Sequence, residues 1–227
     1  MKTSKRLKEA KAKIEADKVY SLPEAINLIK ETSKVKFDAS VEVHVNLGID
    51  PKKSDQLVRD SVILPHGTGK TVRVAAFVPT DQIKEAKDAG ADIAGDNELV
   101  EEIKKTGKCD FDVAVTTPIF MKSLAVVARI LGQKGLMPNP KTGTIGDDLK
   151  KMIGELKKGK VSYKNDDTAN VHLTIGKVSF ENTALEENFQ AFFEALKKNK
   201  PSSAKGTYIK SLTLASSMGP GIKVNLK

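Results

Sequence analysis

At 227 residues the chain is long enough for two domains, and its 38 Lys and Arg against 29 Asp and Glu leave a net charge of +9. One cysteine, Cys109, excludes an internal disulfide and a cysteine zinc cluster, and His44, His66 and His172 show no metal-ligand spacing. No run of about 18 apolar residues is present, which excludes a membrane-spanning helix; no membrane partner is expected, the charged start does not read as a secretory signal, and a cytoplasmic protein is expected.

Residues 1–18 read as a polar, mostly basic helix with Leu7 and Ile14 as sparse apolar positions. Ser21-Leu-Pro-Glu24 has the spacing of a capping box, and Ala25, Ile26 and Ile29 give the helix it opens an apolar face. Residues 40–49 are the clearest strand, with Val41, Val43, Val45, Leu47 and Ile49 alternating with Ser40, Glu42, His44, Asn46 and Gly48. Asp50-Pro-Lys-Lys53 is a turn, residues 57–64 read as a further strand, and Pro65-His-Gly-Thr-Gly69 breaks the chain.

From residue 71 the pattern changes. Val72–Val78 is a nearly continuous apolar run, suited to a strand buried on both faces. Helices at 81–89, 97–105 and 119–131 then alternate with strands at 91–94 and 111–116. A loop rich in Gly and Pro over 132–146 leads to a helix at 147–157. Strands alternating with helices imply a parallel α/β sheet.

Near Gly159 the half-polar pattern returns. Val171, Leu173 and Ile175 alternate with Asn170, His172 and Thr174. Thr183-Ala-Leu-Glu186 reads as a second capping box, opening a helix with the stripe Leu185, Phe189, Phe192, Phe193 and Leu196. Residues 207–214 read as the last strand. The fold expected is therefore an α+β split domain, residues 1–66 plus 160–227, with an α/β domain of residues 67–159 inserted into it. Glycines at both crossings permit a hinge there. Charge divides with this organisation: residues 1–70 carry +4, 71–159 carry +1 and 160–227 carry +4. The basic excess of the outer segments favours an anionic partner such as nucleic acid or an acidic membrane surface, with simple solubility as the plain alternative.

Three strands of the split domain pair an apolar face with a face of Ser, Thr, Asn, His or Glu. If helices cover the apolar side, the other lies open with Glu42, His44, Asn46, His172, Thr174, Ser211 and Thr213 on it. An ordinary solvated face is the plain reading. A face that hydrogen-bonds ribose hydroxyls and base edges is the functional one, because it is polar rather than basic. Lys34, Lys36, Lys52, Lys53, Lys164 and Lys205 on its rim supply a phosphate contribution. Scarce aromatics, 5% with no Trp, argue against single-strand binding by stacking alone.

Other chemistries fail on spacing. Gly67-Thr-Gly-Lys-Thr71 lacks the first glycine of a phosphate loop, since Leu64 stands there, and it leads into a strand. No Gly-x-Gly-x-x-Gly follows residues 72–78, so the inserted unit lacks a dinucleotide fingerprint and no cofactor is expected. Asp166-Asp167 are neighbours that point apart, Cys109 suits a structural thiol, and no nucleophile–base set stands out. In Ser216-Ser-Met-Gly-Pro-Gly221, two glycines and a proline define a tight path on which hydroxyls and free amides could hold RNA; a plain turn is the alternative.

Several runs resemble the bacterial ribosomal protein L-one family in its order and spacing. They are Val58-Arg59, Leu64-Pro-His-Gly-Thr-Gly-Lys70, Ala89-Gly-Ala-Asp92, Gly135-Leu-Met-Pro-Asn-Pro-Lys141, Ile175-Gly-Lys-Val-Ser-Phe180 and Ser217-Met-Gly-Pro-Gly221. The resemblance covers essentially the whole chain. It implies a split RNA-binding domain with an inserted Rossmann-like, three-layer domain. It also implies a ribosomal constituent, monomeric when free, whose partners are the stalk region of large-subunit ribosomal RNA, the exit-site tRNA whose release it assists, and its own operon's messenger RNA, which it represses. The RNA contacts it implies are Lys36, Phe37, Glu42, Asp166, His172, Ser211, Ser217, Met218 and Gly219; Thr213 of the polar face and Gly221 of the turn complete the candidate set. The family usually has Thr at position 217, Pro-Arg at 133–134 and Asp-Lys near 166–167, where this chain has Ser217, Gln133-Lys134 and Asp166-Asp167. The alternative is an α/β enzyme with a basic accessory domain.

Overall fold

The computed structural model describes residues 4–15 and 18–225. In chain order its elements are α1 (Lys5–Ala12), α2 (Leu22–Thr32), β1 (Ser40–Leu47), β2 (Arg59–Ile63), β3 (Val74–Phe77), α3 (Ile83–Asp88), β4 (Ile93–Gly95), α4 (Asn97–Thr106), β5 (Val113–Thr116), α5 (Met121–Leu124), α6 (Ala128–Gln133), α7 (Leu149–Lys157), β6 (Lys160–Lys164), β7 (Asn170–Lys177), α8 (Asn182–Lys198), β8 (Ile209–Ser216) and β9 (Gly221–Lys223). The fold is mixed α/β, and the chain divides into two compact units, Met1–Gly69 with Val161–Lys227, and Lys70–Lys160.

The first unit is built on a four-stranded antiparallel sheet in the order β7-β1-β8-β9. Alternation in β1 is complete: Val41, Val43, Val45 and Leu47 are buried, and the residues between them are half-buried. Val171, Leu173, Ile175, Leu212, Leu214 and Ile222 join them in one core with Ile26 and Ile29 of α2 and Leu185, Phe189, Phe192 and Leu196 of α8. Both helices thus lie on one face of the sheet. A two-stranded ribbon, β2 with β6, adds Val58, Val62, Leu64 and Tyr163 to this core.

The capping box at α2 forms as its spacing predicts: the Ser21 N–H donates to Glu24 Oε2 at 3.1 Å. That bond is the first cause holding the Glu24 carboxyl below its ordinary range. Ser21→Ala keeps this backbone bond but removes the hydroxyl that accepts from the Glu24 N–H in the other half of the box, and is expected to lower stability by about 1 kcal/mol in urea unfolding; a change below about 0.3 kcal/mol would show that core burial of Ile26 and Ile29 holds the helix alone.

In the second unit β4-β3-β5 form a parallel sheet. All four residues of β3 are buried, as its unbroken apolar run predicts. Ala75, Phe77 and Ala114 face one core with Val100, Ile103, Leu124 and Leu131, while Val74, Ala76 and Val115 face another with Ala86, Leu149 and Ile153. A sheet sandwiched in this way needs apolar residues on both sides, which is why alternation is lost here. Cys109 is half-buried against the first of these cores, a packing role.

Several expectations are corrected. The basic N-terminal helix is shorter than residues 1–18: it ends at Ala12, and residues 1–3, 16 and 17 lie outside the described set. Thr183 does not cap α8. The helix begins at Asn182 with Glu181 as its N-cap, and the Leu185 N–H donates to the Glu181 carbonyl at 3.2 Å. Thr183 is already inside the first turn, and the amide two residues ahead of it, Leu185, is taken by the Glu181 carbonyl. The helix expected over 119–131 is broken into α5, a 3-10 turn at Ala125–Val127, and α6. Strands β6 and β9 were not anticipated, since three to five residues leave little periodicity to read.

Candidate nucleic-acid interface

The face of the four-stranded sheet opposite α2 and α8 carries the polar alternate residues of its strands. Register aligns them in rows. Glu42 stands between Thr174 and Ala215, His44 between His172 and Thr213, and Asn46 between Asn170 and Ser211. Thr213 in turn stands beside Lys223 of β9. His172 and Ser211 are exposed and Glu42, His44, Asn46, Thr174 and Thr213 half-buried. The structure therefore brings Glu42, His44, Asn46, His172, Thr174, Ser211 and Thr213 onto one open surface. Asn46 Nδ2 donates to Asn170 Oδ1 at 2.7 Å, so part of this row is self-satisfied. His44 Nδ1 and His172 Nδ1 are 2.8 Å apart.

At one end of β1 and β8 lie the two segments before Ser40 and after Ser216. The Ser217 N–H donates to the Ser40 carbonyl at 2.9 Å, and the Ser40 N–H donates to Ser217 Oγ at 3.2 Å. The Gly219 N–H donates to the Ser216 carbonyl at 2.8 Å. This corrects one expectation: the amides of Ser217 and Gly219 are not free for RNA, because the turn consumes them. The Ser217 hydroxyl keeps its proton to donate outward. Gly219 has no room for a side chain, since a Cβ there would lie 2.2 Å from Ser216 Oγ, and a Cβ on Gly221 would lie 2.9 Å from Thr213 Cγ2. Both glycines are thus set by close approach.

Met218 has φ of 60° and is 73% exposed. An apolar side chain in left-handed backbone, held out into solvent, is a costly arrangement that packing does not explain. Phe37 is 53% exposed in the segment leading to β1, next to exposed Lys36. One contact was invisible in the sequence. Arg6 of α1 donates to the Met218 carbonyl at 3.2 Å, so the basic helix braces this turn across 212 positions of chain. The other end of the strands is basic: Lys53, Lys205 and Lys210 line a shallow cavity with Gly48, Asp50 and Thr207.

Asp166, one of the expected contacts, is held by the turn it belongs to. Its Oδ1 accepts from the Asn170 N–H at 2.7 Å and the Thr168 N–H at 2.9 Å, and Thr168 Oγ1 also donates to it. The Asn170 amide foremost, then Thr168 and His172, hold its carboxyl well below the usual carboxylate range against the opposing pull of burial. It anchors a turn whose Ala169 has φ of 63°, and it sits 3.5 Å from His172 Nε2. Its oxygens serve the turn and the histidine before any ligand. In the second unit, Lys70 is paired with Asp112 at 2.5 Å. Among the described residues no helix is long and apolar enough to cross a membrane, and no group of three or more His, Cys, Asp or Glu could hold a metal ion.

The sequence matches the ribosomal protein L1p/L10e family over residues 29–220. It is 53% identical over 223 residues to the large ribosomal subunit protein uL1 of Mycoplasma capricolum, with 98% of each chain covered. It is 52% identical to the protein of the same name from Corynebacterium glutamicum strain R, covering 99% of this chain and 94% of that one. With the Coxiella burnetii protein, also named large ribosomal subunit protein uL1, identity is 50% over 99% of this chain and 96% of the relative. A match over most of the chain, at this identity and nearly full coverage on both sides, places it plainly: the chain belongs to the ribosomal protein L1p/L10e family.

Proposed function

We propose that the chain is a constituent of the large ribosomal subunit that binds the stalk region of its ribosomal RNA through the open face of the split first unit. The observation that carries this reading is the pair of exposed apolar side chains, Phe37 and Met218, beside a polar open sheet face in a basic unit. Exposed hydrophobes at a braced turn suit unstacked bases, and the sheet's hydroxyls, amide and imidazoles suit ribose and base edges. Lys36, Phe37, Glu42, His172, Ser211, Thr213, Ser217, Met218, Gly219 and Gly221 are the proposed contact set, with Asp166 behind His172. The second unit reads as a Rossmann-like insertion, residues 67–159 by sequence pattern. The family resemblance of the sequence implies two further roles, assisting release of deacylated tRNA from the exit site and repressing translation of the chain's own operon by binding its messenger RNA. The enzyme alternative is set aside, because the family is one of ribosomal proteins.

Filter binding of the full chain to an RNA of stalk sequence and to a scrambled hairpin tests the main reading. Binding of the two with equal affinity would refute a specific site. Ser217→Val removes the acceptor for the Ser40 N–H and the outward hydroxyl together. It is expected to weaken stalk RNA binding by about 1–3 kcal/mol. The salt slope should be nearly unchanged, since no phosphate-neutralising charge is lost. Parent-like affinity in this variant would make the turn a purely structural one.

A further inference from the structure

We propose that His44 and His172 act as one acid–base unit that takes up a single shared proton, and that nucleic-acid docking on this face is coupled to that proton. The proposal rests on the RNA-binding reading of the face and adds a regulation to it.

The geometry sets the proton count. With Nδ1 atoms 2.8 Å apart, one hydrogen has to lie between them, donated by one ring and accepted by the other. The rings meet edge to face, with centroids 4.9 Å apart at 64°. Each outer nitrogen is turned to a carboxylate: His44 Nε2 lies 3.9 Å from Glu42 Oε2, and His172 Nε2 lies 3.5 Å from Asp166 Oδ2. Two neutral imidazoles carry two N–H hydrogens for these three positions. One of the three then fails, and a carboxylate faces an imidazole lone pair. One added proton supplies the third hydrogen: both Nε2 atoms carry N–H groups towards their carboxylates, and the central bond keeps its single hydrogen. A second added proton would set two N–H donors face to face at 2.8 Å and break the central contact. In the singly protonated state the row from Glu42 to Asp166 therefore has one central hydrogen bond and, at each end, an N–H turned to a carboxylate at ion-pair distance.

Burial, and next the charge of His172, hold His44 below the ordinary imidazole range, with Glu42 pulling the other way. Glu42 and Asp166 are the carboxylates facing the rings. On β8 the adjacent Ser211 and Thr213 are uncharged, and on β9 Lys223 stands one strand further, beside Thr213. Asn46, Asn170 and Thr174 on the neighbouring rows are uncharged. Exposed Lys164 and Asp167 flank the Asp166 turn.

Coupling follows by linkage. The shared proton adds one positive charge to a surface that meets a polyanion, so docking favours the protonated pair and is favoured by it. Affinity for RNA rises as pH falls through the titration of the pair.

The test uses the full chain. Imidazole resonances of the free protein followed by NMR from pH 9 to pH 5 are expected to show His44 and His172 reporting one common first step, with His66 as internal comparison. Two complete, independent one-proton steps would overturn the shared proton. Filter binding at constant ionic strength, with stalk-sequence RNA as probe, is expected to give about tenfold tighter binding at pH 6 than at pH 8, the scale one linked proton can supply. His44→Gln and His172→Gln, compared by their pH slopes, should each reduce this to within about twofold. A flat profile for the parent, or variants that keep its slope, would overturn the coupling while leaving RNA binding intact. Binding no better than to a scrambled hairpin at every pH would instead bring down the RNA reading, and the coupling with it.

Discussion

Replacing Asn188 by Ala is expected to lower the stability of the protein by about 2–4 kcal/mol, measured as a shift of the urea midpoint at unchanged slope. Asn188 lies on the buried side of α8 and is fully inaccessible. Its Oδ1 accepts from the His66 N–H at 3.0 Å, and its Nδ2 donates to the carbonyls of Gly67 at 2.9 Å and Ile175 at 2.7 Å. One side chain thus ties the chain where β2 ends, a glycine at φ of 62° and the strand β7 to a single helix position. Truncation leaves backbone groups of three residues without that partner, and each unpaired buried polar group costs on the order of 1–3 kcal/mol, less where water can enter. Asn188→Asp should be at least as harmful, because it turns the donor into an acceptor facing two carbonyls. A loss below about 0.5 kcal/mol for the Ala variant would show that the segment relaxes to pair its own backbone.

Phe37→Ala combined with Met218→Gly is expected to reduce stalk RNA affinity by about tenfold to a hundredfold while leaving the fold at least as stable. The binding loss follows from the stacking and apolar contact the two exposed side chains offer, roughly 1–3 kcal/mol per base contacted. The stability side follows from the backbone: Gly at 218 removes the penalty of a Cβ in left-handed conformation, worth about 1 kcal/mol. Function and stability should therefore move in opposite directions. The salt slope distinguishes this variant from Lys36→Ala, which removes a charge and should flatten it. If the double variant is destabilised and binds normally, the exposed pair serves folding and the proposed contact set loses its anchor.

Much of this molecule is legible from residue order alone. Alternation at 40–47 and 170–176 says which side chains enter the core, because a strand has a strict period of two. The unbroken run at 72–78 says that its strand is covered on both sides, and Ser21 with Glu24 marks a helix start through purely local bonds. The runs at 135–141 and 217–221 carry the family resemblance. All of these depend on near neighbours in the chain.

Contacts set by register and docking were not legible. Arg6 reaches the Met218 carbonyl, Asn188 reaches His66 and Gly67, and His44 meets His172 across 128 positions. The sequence by itself determined that His44 and His172 share the polar face of one sheet. Only the tertiary structure decided that they stand opposite each other, because strand pairing, not composition, sets the register. A slip of one residue would have turned every side chain of β1 to the opposite face and parted the two rings.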